Sequence, residues 1–191
     1  MNNIVKKEFY LQPSLEIVKQ FLGKKLVYKS NTGLVSGIIT DVEAYPANVD
    51  EVSHGNKKTK RTEVMYKEGG YIYVYLIYGI HHQLAIVVNK NDIPEVVFIR
   101  AVKPIEGIDI MKRNFERDIK KDSDLTKSPG NLCKSFGITL DLYGTEIPSN
   151  TIWMEETDVE VSIDDIKMAE RVGISNKLKG SKLKYRYYIK L

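Results

Sequence analysis

Residues 34–45, LVSGIITDVEAY, decide the fold. They are rich in Val, Ile and Thr, which suit a pleated, half-buried surface, and they read as a long strand. A strand period of two places Asp41, Glu43 and Tyr45 on one face. On the N-terminal side, residues 25–28 read as a shorter strand, joined to the long one by a turn at Asn31-Thr32-Gly33. Residues 13–22 read as a helix: Leu15, Val18 and Leu22 recur at helical spacing, Pro13 lies in the first turn and Gly23 follows the end. On the C-terminal side, residues 71–78, 83–90 and 96–102 are strand patterns, with Gly79 breaking the path between the first two. Residues 105–117 read as a helix. Ser128-Pro129-Gly130 opens a short helix through Phe136, and residues 183–191 suit a terminal strand. The strands cluster without regular βαβ alternation. The expected class is therefore α+β, with a largely antiparallel sheet and peripheral helices in one domain over residues 1–191.

The 191 residues provide for a sizeable core, and the 42% hydrophobic and 28% charged fractions are ordinary for a globular protein. The net charge of +4 is a mild excess, compatible with a polyanionic partner. One cysteine, Cys133, excludes an internal disulfide and any four-cysteine zinc or iron–sulfur site, and it suits a reducing compartment. The first 13 residues, MNNIVKKEFYLQP, hold no apolar signal region, and the longest apolar-looking run, residues 71–80, falls far short of the roughly 20 residues of a membrane helix. The expectation is an intracellular protein, cytoplasmic or at the nucleoid, with no membrane attachment.

Between residues 46 and 70 the chain is polar and irregular, and Lys57, Lys58, Lys60 and Arg61 cluster there. Loops of this length are often functional. Just before the loop, Glu43 beside Tyr45 suits a general base next to a stacking surface; a solvated acidic face is the plainer alternative. In residues 71–79, YIYVYLIYG, Tyr71, Tyr73 and Tyr75 share a face, and Tyr78 falls out of that parity directly before glycine. An aromatic projecting from a turn can wedge into a base stack, although tyrosine is also an ordinary strand former. His54 lies in the basic loop, where it can stack on a base or simply sit at the surface; no zinc-ligand spacing accompanies it. Arg100 ends an apolar strand, where a carboxylate or phosphate partner is usual. Lysines and tyrosines interleave over residues 177–188, which suits phosphate contact as well as a solvated face.

Singly these signals are weak; their order and spacing are specific. Asp41-Val42-Glu43-Ala44-Tyr45, Asp50-Glu51, Ser53-His54, Thr59-Lys60-Arg61, Met65, Tyr73-Val74-Tyr75, Tyr78-Gly79 and Arg100-Ala101-Val102-Lys103-Pro104 resemble, in order, the alkyladenine (3-methyladenine) DNA glycosylase family. The likeness continues through Gly130-Asn131-Leu132-Cys133, Arg171-Val172-Gly173-Ile174 and residues 183–189, and so spans nearly the whole chain. The resemblance implies a curved antiparallel sheet and a monofunctional enzyme that flips alkylated or deaminated purines out of duplex DNA. It implies no metal or cofactor. Glu43 then looks like the base that activates water, Arg100 and the Val172 carbonyl like further ligands of that water, and Tyr45, His54 and Tyr75 like the walls around the flipped base. The His54 backbone N–H would meet the purine edge, and Tyr78 would fill the gap in the duplex. Ala85 departs from the family, which usually carries asparagine there; a pocket more tolerant of 2-amino purines is expected. Asn89 shares the strand parity of Ala85 and is the alternative position for that amide. The expected partner is double-stranded DNA bearing damaged purines, bound by a monomer. The competing class is a noncatalytic module that reads damaged DNA, which would have little use for Glu43 and Arg100.

Overall fold

A computed structural model of the chain describes residues 3–49, 51–115 and 119–191. It is α+β, with an antiparallel sheet and helices packed around it. The long strand is β2, Gly33–Tyr45, preceded by β1, Lys25–Ser30. After the loop come β3, Ile72–Ile77, β4, His81–Val88, and β5, Glu95–Glu106. Three strands are short: β6, Ile152–Glu155, β7, Lys167–Ala169, and β8, Arg186–Tyr188. The order is β3-β4-β5-β2-β1-β6; β8 pairs with β2, and β7 with β8. An acidic stretch, residues 155–160, begins in β6, at the opposite edge from β3, where Glu155 and Glu156 pair with Lys25 and Lys24.

Two expected helices are shorter than their sequence patterns. Over residues 13–22, α1 is a single turn, Ser14–Ile17, continued by a 3-10 turn, Val18–Phe21. Its buried face is Ile17, Val18, Phe21 and Leu22, whereas Leu15 is exposed. The helix expected over residues 105–117 is α2, Ile108–Phe115, and Arg117 lies outside the described residues. β5 takes the first part of that span, because Gly37 and Ser36 of β2 pair with Pro104 and Glu106. Gly107 then turns the chain with φ +72, and a Cβ there would lie 2.3 Å from the Leu34 carbonyl oxygen. α3, Pro129–Phe136, agrees with its sequence signals: the Ser128 hydroxyl accepts the Asn131 N–H, proline follows the cap, and Gly137 closes the helix at φ +73. The terminal strand is confined to β8, and β6 and β7 had no sequence signal, since each is only three or four residues long.

One face of the sheet carries the main core. Ile72, Val74, Leu84, Ile86, Val88, Val97 and Ile99 pack there with Phe21, Met111, Leu132 and Phe136 from the helical layer. The opposite face carries a smaller, aromatic cluster with Tyr73, Tyr75, Ala85, Val87, Val96 and Phe98, covered by Val64 and Met65 of the loop. Two register irregularities keep the charged residues on that second face. Thr40 is skipped between the pairs Ile39↔Val102 and Asp41↔Ala101, and Arg100 is skipped between Asp41↔Ala101 and Val42↔Ile99. Each skip reverses the side-chain parity of its strand. Before Thr40 the core positions of β2 are Val35 and Ile39; after it they are Val42 and Ala44. Asp41, Glu43 and Tyr45 are thereby turned to the face of Phe98 and Arg100. The freed Thr40 carbonyl is satisfied by the Ile189 N–H at 2.9 Å. Among the described residues, no helix is long and apolar enough to cross a membrane.

Candidate active site

Glu43 is fully buried, with a relative exposure of 0%. Its Oε1 accepts from the Val172 backbone N–H at 2.9 Å and is ion-paired with Arg100, whose Nη1 lies 3.0 Å away, and its Oε2 accepts from the Tyr45 hydroxyl at 2.8 Å. The burial raises the carboxyl pKa above the ordinary range, while the Arg100 charge and the two hydrogen bonds pull it back down. Arg100 also faces Asp41, with Nε 3.6 Å from Oδ2. Asp41 is in turn clamped by Arg186, whose Nη2 lies 2.7 Å from Oδ2 and whose Nε lies 3.0 Å from Oδ1. Two carboxylates and two guanidiniums thus alternate along the edge of the site, so each of these four charges faces one of opposite sign.

Val172 meets Glu43 through its amide, on a segment anchored by the residue before it. Arg171 is buried; its guanidinium donates to the Ala44 carbonyl and to the Gly180 carbonyl, both at 3.2 Å. It lies over the Tyr45 ring at 4.8 Å and the Tyr185 ring at 5.3 Å. Arg171 was quoted only within a motif; no sequence signal shows that a lysine-rich tail would supply the backing of Tyr45.

Beside Glu43 opens a cavity of about 250 Å³. Tyr45, His54, Tyr75, Tyr78, Ala85, Arg100 and Val172 all line it, so seven of the eight expected site residues share one space, with Glu43 directly behind. Phe98, Gln83 and Met65 join them; Met65 was quoted only as part of the resemblance, and Phe98 and Gln83 were not singled out in the sequence, where they read as ordinary strand filling. The Phe98 ring centroid lies 6.3 Å from Tyr45 and 6.4 Å from Tyr75. His54 meets Tyr75 edge-on at 4.9 Å, and Tyr75 stacks on Tyr73 at 4.9 Å. Asn89 lies past the end of β4 with φ 75 and, unlike Ala85, does not line the cavity.

The loop that delivers His54 is ordered around buried Val52, Val64 and Met65. His54 opens a 3-10 turn, His54–Asn56, whose cap is the Ser53 hydroxyl accepting the Gly55 N–H. Gly55 presses against β5: a Cβ there would lie 2.4 Å from the Pro94 carbonyl oxygen. His54 Nδ1 is 3.1 Å from the Tyr73 hydroxyl, and burial, helped by the Arg61 charge, pushes its pKa down to about 4. The imidazole is therefore neutral near pH 7. Lys57, Lys58, Lys60 and Arg61 remain exposed on this loop. The lysine-rich tail reaches the same side: Glu51 bonds the Lys179 backbone through both its amide and its carboxylate. Asp50 itself lies outside the described residues.

Tyr78 is 90% exposed at the tip of the β3–β4 hairpin, followed by Gly79 and by Ile80, itself 70% exposed. Its φ is +53, in the left-handed region where a side chain other than Gly, Asn or Asp is disfavoured. A large apolar ring is thus held in solvent on strained backbone, which packing does not reward. Among the described residues, no group of three or more His, Cys, Asp or Glu is placed to hold a metal ion.

The family model for methylpurine-DNA glycosylases matches residues 8–191. Among curated relatives, a protein of Clostridium novyi is 38% identical over 192 residues, covering 96% of this chain and 94% of its own length. One of Oceanobacillus iheyensis is 37% identical, covering 96% and 90%, and one of Natranaerobius thermophilus is 39% identical, covering 96% and 93%. Each of these three carries the name "putative 3-methyladenine DNA glycosylase".

Proposed function

The chain belongs to the methylpurine-DNA glycosylase family, and on that premise we propose that it flips alkylated or deaminated purines out of duplex DNA and hydrolyses their N-glycosidic bond, leaving an abasic site. The observation that carries this reading is Glu43, a wholly buried carboxylate held by Arg100, Tyr45 and Val172 against an aromatic cavity.

A base inside a duplex hides its glycosidic bond, so an enzyme must extrude it. Tyr45, His54 and Tyr75, which line the cavity together, serve as the walls of a slot for a purine ring. Their π faces favour electron-poor alkylated bases, and stacking contributes roughly 1–3 kcal/mol per base. Tyr78 enters the space the base vacates, which explains a strained, exposed tyrosine at that hairpin. The exposed lysines of the two neighbouring segments follow the phosphates, and a single copy of the chain presents the whole surface.

In the chemical step a water oxygen bonds to C1′ of the sugar, the C1′–N bond breaks, and its electron pair leaves with the base. Glu43 takes the water's proton and stabilises the positive charge that develops on the sugar. Its two hydrogen bonds, from Val172 and Tyr45, occupy two of the four acceptor positions of a carboxylate, which leaves room for water beside the paired Arg100. The Val172 carbonyl joins Arg100 in holding the water. In place of asparagine, Ala85 leaves room at the purine edge for a 2-amino group.

The test is release of free base from duplexes carrying single hypoxanthine, ethenoadenine or 7-methylguanine, with wild type beside Glu43→Gln. Wild type leaves abasic sites and the variant binds without releasing base. Lesion binding by both, with release by neither, makes the chain a noncatalytic reader of damage.

A further inference from the structure

β4 turns Gln83 and Ala85 toward the cavity, two residues apart on one face of the strand. Gln83 is 7% exposed, so its amide was taken out of bulk water on folding. Burying a polar side chain without use for it costs stability. Its Nε2 is accounted for, donating to the His82 carbonyl at 3.0 Å. That bond fixes which end of the amide is which, and it leaves Oε1 without a hydrogen-bond partner among the described residues but with some access to solvent.

The other polar side chains around the cavity are differently placed. The Tyr45 hydroxyl and Arg100 are engaged with Glu43, and His54 Nδ1 with the Tyr73 hydroxyl. Tyr75, the cross-strand neighbour of Gln83, offers a hydroxyl that can donate or accept and so does not discriminate. The Gln83 oxygen can only accept. Unsubstituted purine ring nitrogens other than a protonated N1 are acceptors, the alkylated one and N9 have no free lone pair, and none of these gains from it, whereas an exocyclic amino group is a donor that projects beyond the ring. Beside Gln83, Ala85 presents a single methyl group, so a projecting group has space there.

We infer that Gln83 is a specificity-determining residue whose Oε1 accepts a hydrogen bond from an exocyclic amino group of the flipped purine. The inference rests on the glycosylase reading of the cavity and adds to it the chemical group that β4 recognises. That amino group is the 2-amino of a guanine or the 6-amino of an adenine, and the two are separable. Three bases share a 7-methyl group and differ at these positions: 7-methylguanine has the 2-amino group, 7-methyladenine the 6-amino group, and 7-methylhypoxanthine neither. Single-turnover excision of each is measured with wild type and with Gln83→Met, which keeps the length of the side chain and removes its acceptor. The fold-loss on substitution is taken separately for each base, so that differences in pairing and in intrinsic lability cancel.

A net hydrogen bond of ordinary strength corresponds to about fivefold. The expected result is a fold-loss about five times larger on one amino-bearing base than on 7-methylhypoxanthine, and the base affected identifies the edge that is read. An equal fold-loss on all three bases is a general effect of the substitution on the pocket and overturns the inference. Inhibition of the wild type by the same three free bases needs no variant: one amino-bearing base inhibits about fivefold more strongly than 7-methylhypoxanthine, and three equal inhibition constants overturn the inference. Wild type that releases none of the three bases from DNA fails at the glycosylase reading itself, a result distinct from release with equal losses.

Discussion

On β4, Leu84, Ile86 and Val88 point into the main core, while Gln83 and Ala85, their immediate neighbours, line the cavity. The same division runs across the sheet. Val42, Ala44, Val97 and Ile99 face the helices; Glu43, Tyr45, Phe98 and Arg100 face the site. The core face is aliphatic and close-packed, and its residues contribute through area removed from water. The site face carries a buried carboxylate, a buried glutamine and stacked tyrosines, each of which costs more to bury or to order. One sheet therefore serves as a rigid support on one side and as a reactive surface on the other. The difference teaches that strand parity, more than residue position along the chain, separates stability from function here.

Substitutions of neighbours on opposite faces test that division. The largest effect is expected on the site face: Glu43→Gln lowers single-turnover excision by about 10²- to 10⁴-fold, the usual contribution of a general base, and leaves the affinity for lesion-bearing duplex within a few-fold. On the core face, Ile86→Ala opens a cavity and lowers unfolding free energy by about 2–5 kcal/mol in a urea titration, with excision per folded molecule unchanged. Loss of excision beyond the unfolded fraction would break the comparison.

Arg100 sharpens it by pH. A general base acts when deprotonated, so excision falls as pH drops through the Glu43 pKa. Arg100 holds that pKa down against the larger effect of burial. In Arg100→Met the restraint is gone, the pKa rises, and the acid limb of the rate profile moves to higher pH. A substrate that already carries its positive charge, such as 7-methylguanine, keeps base protonation out of the profile. An acid limb that stays in place assigns it to a group other than Glu43.

Ala85→Asn adds an amide beside Gln83 on the site face and should lower the ratio of 7-methylguanine to hypoxanthine excision by about tenfold, the effect of crowding worth about 1.4 kcal/mol. The smallest effect is at the hairpin. Tyr78→Asn relieves the left-handed backbone, because asparagine tolerates φ near +53, and should raise stability by about 0.5–1 kcal/mol. The same variant should capture the flipped state less well, as read by a fluorescent base analogue. Opposite signs in the two measurements identify Tyr78 as kept for use rather than for packing.

Much of this was legible in the chain itself. The apolar alternation of residues 34–45, 71–78 and 83–90 marks three strands, and Ser128-Pro129-Gly130 marks the start of α3, because local sterics and capping act over a few residues. The ordered spacing of Glu43, Tyr45, His54, Tyr75, Tyr78 and Arg100 indicated one site, and all but the fully buried Glu43 line the same cavity. What tertiary structure alone decided is how these residues meet. The skips at Thr40 and Arg100 belong to the pairing of β2 with β5, and no single strand encodes its partner's register. Arg171 reaches Ala44 across 127 positions of sequence, and the Val172 amide reaches Glu43 across 129. Gln83, unremarkable in a strand pattern, becomes a pocket residue only because Tyr75 of β3 pairs with it and Phe98 of β5 pairs with Ala85, two residues on. Periodicity is a local property and survives in the sequence; burial, charge pairing and an unshared acceptor are properties of packing between distant segments, and they exist only once the sheet has closed.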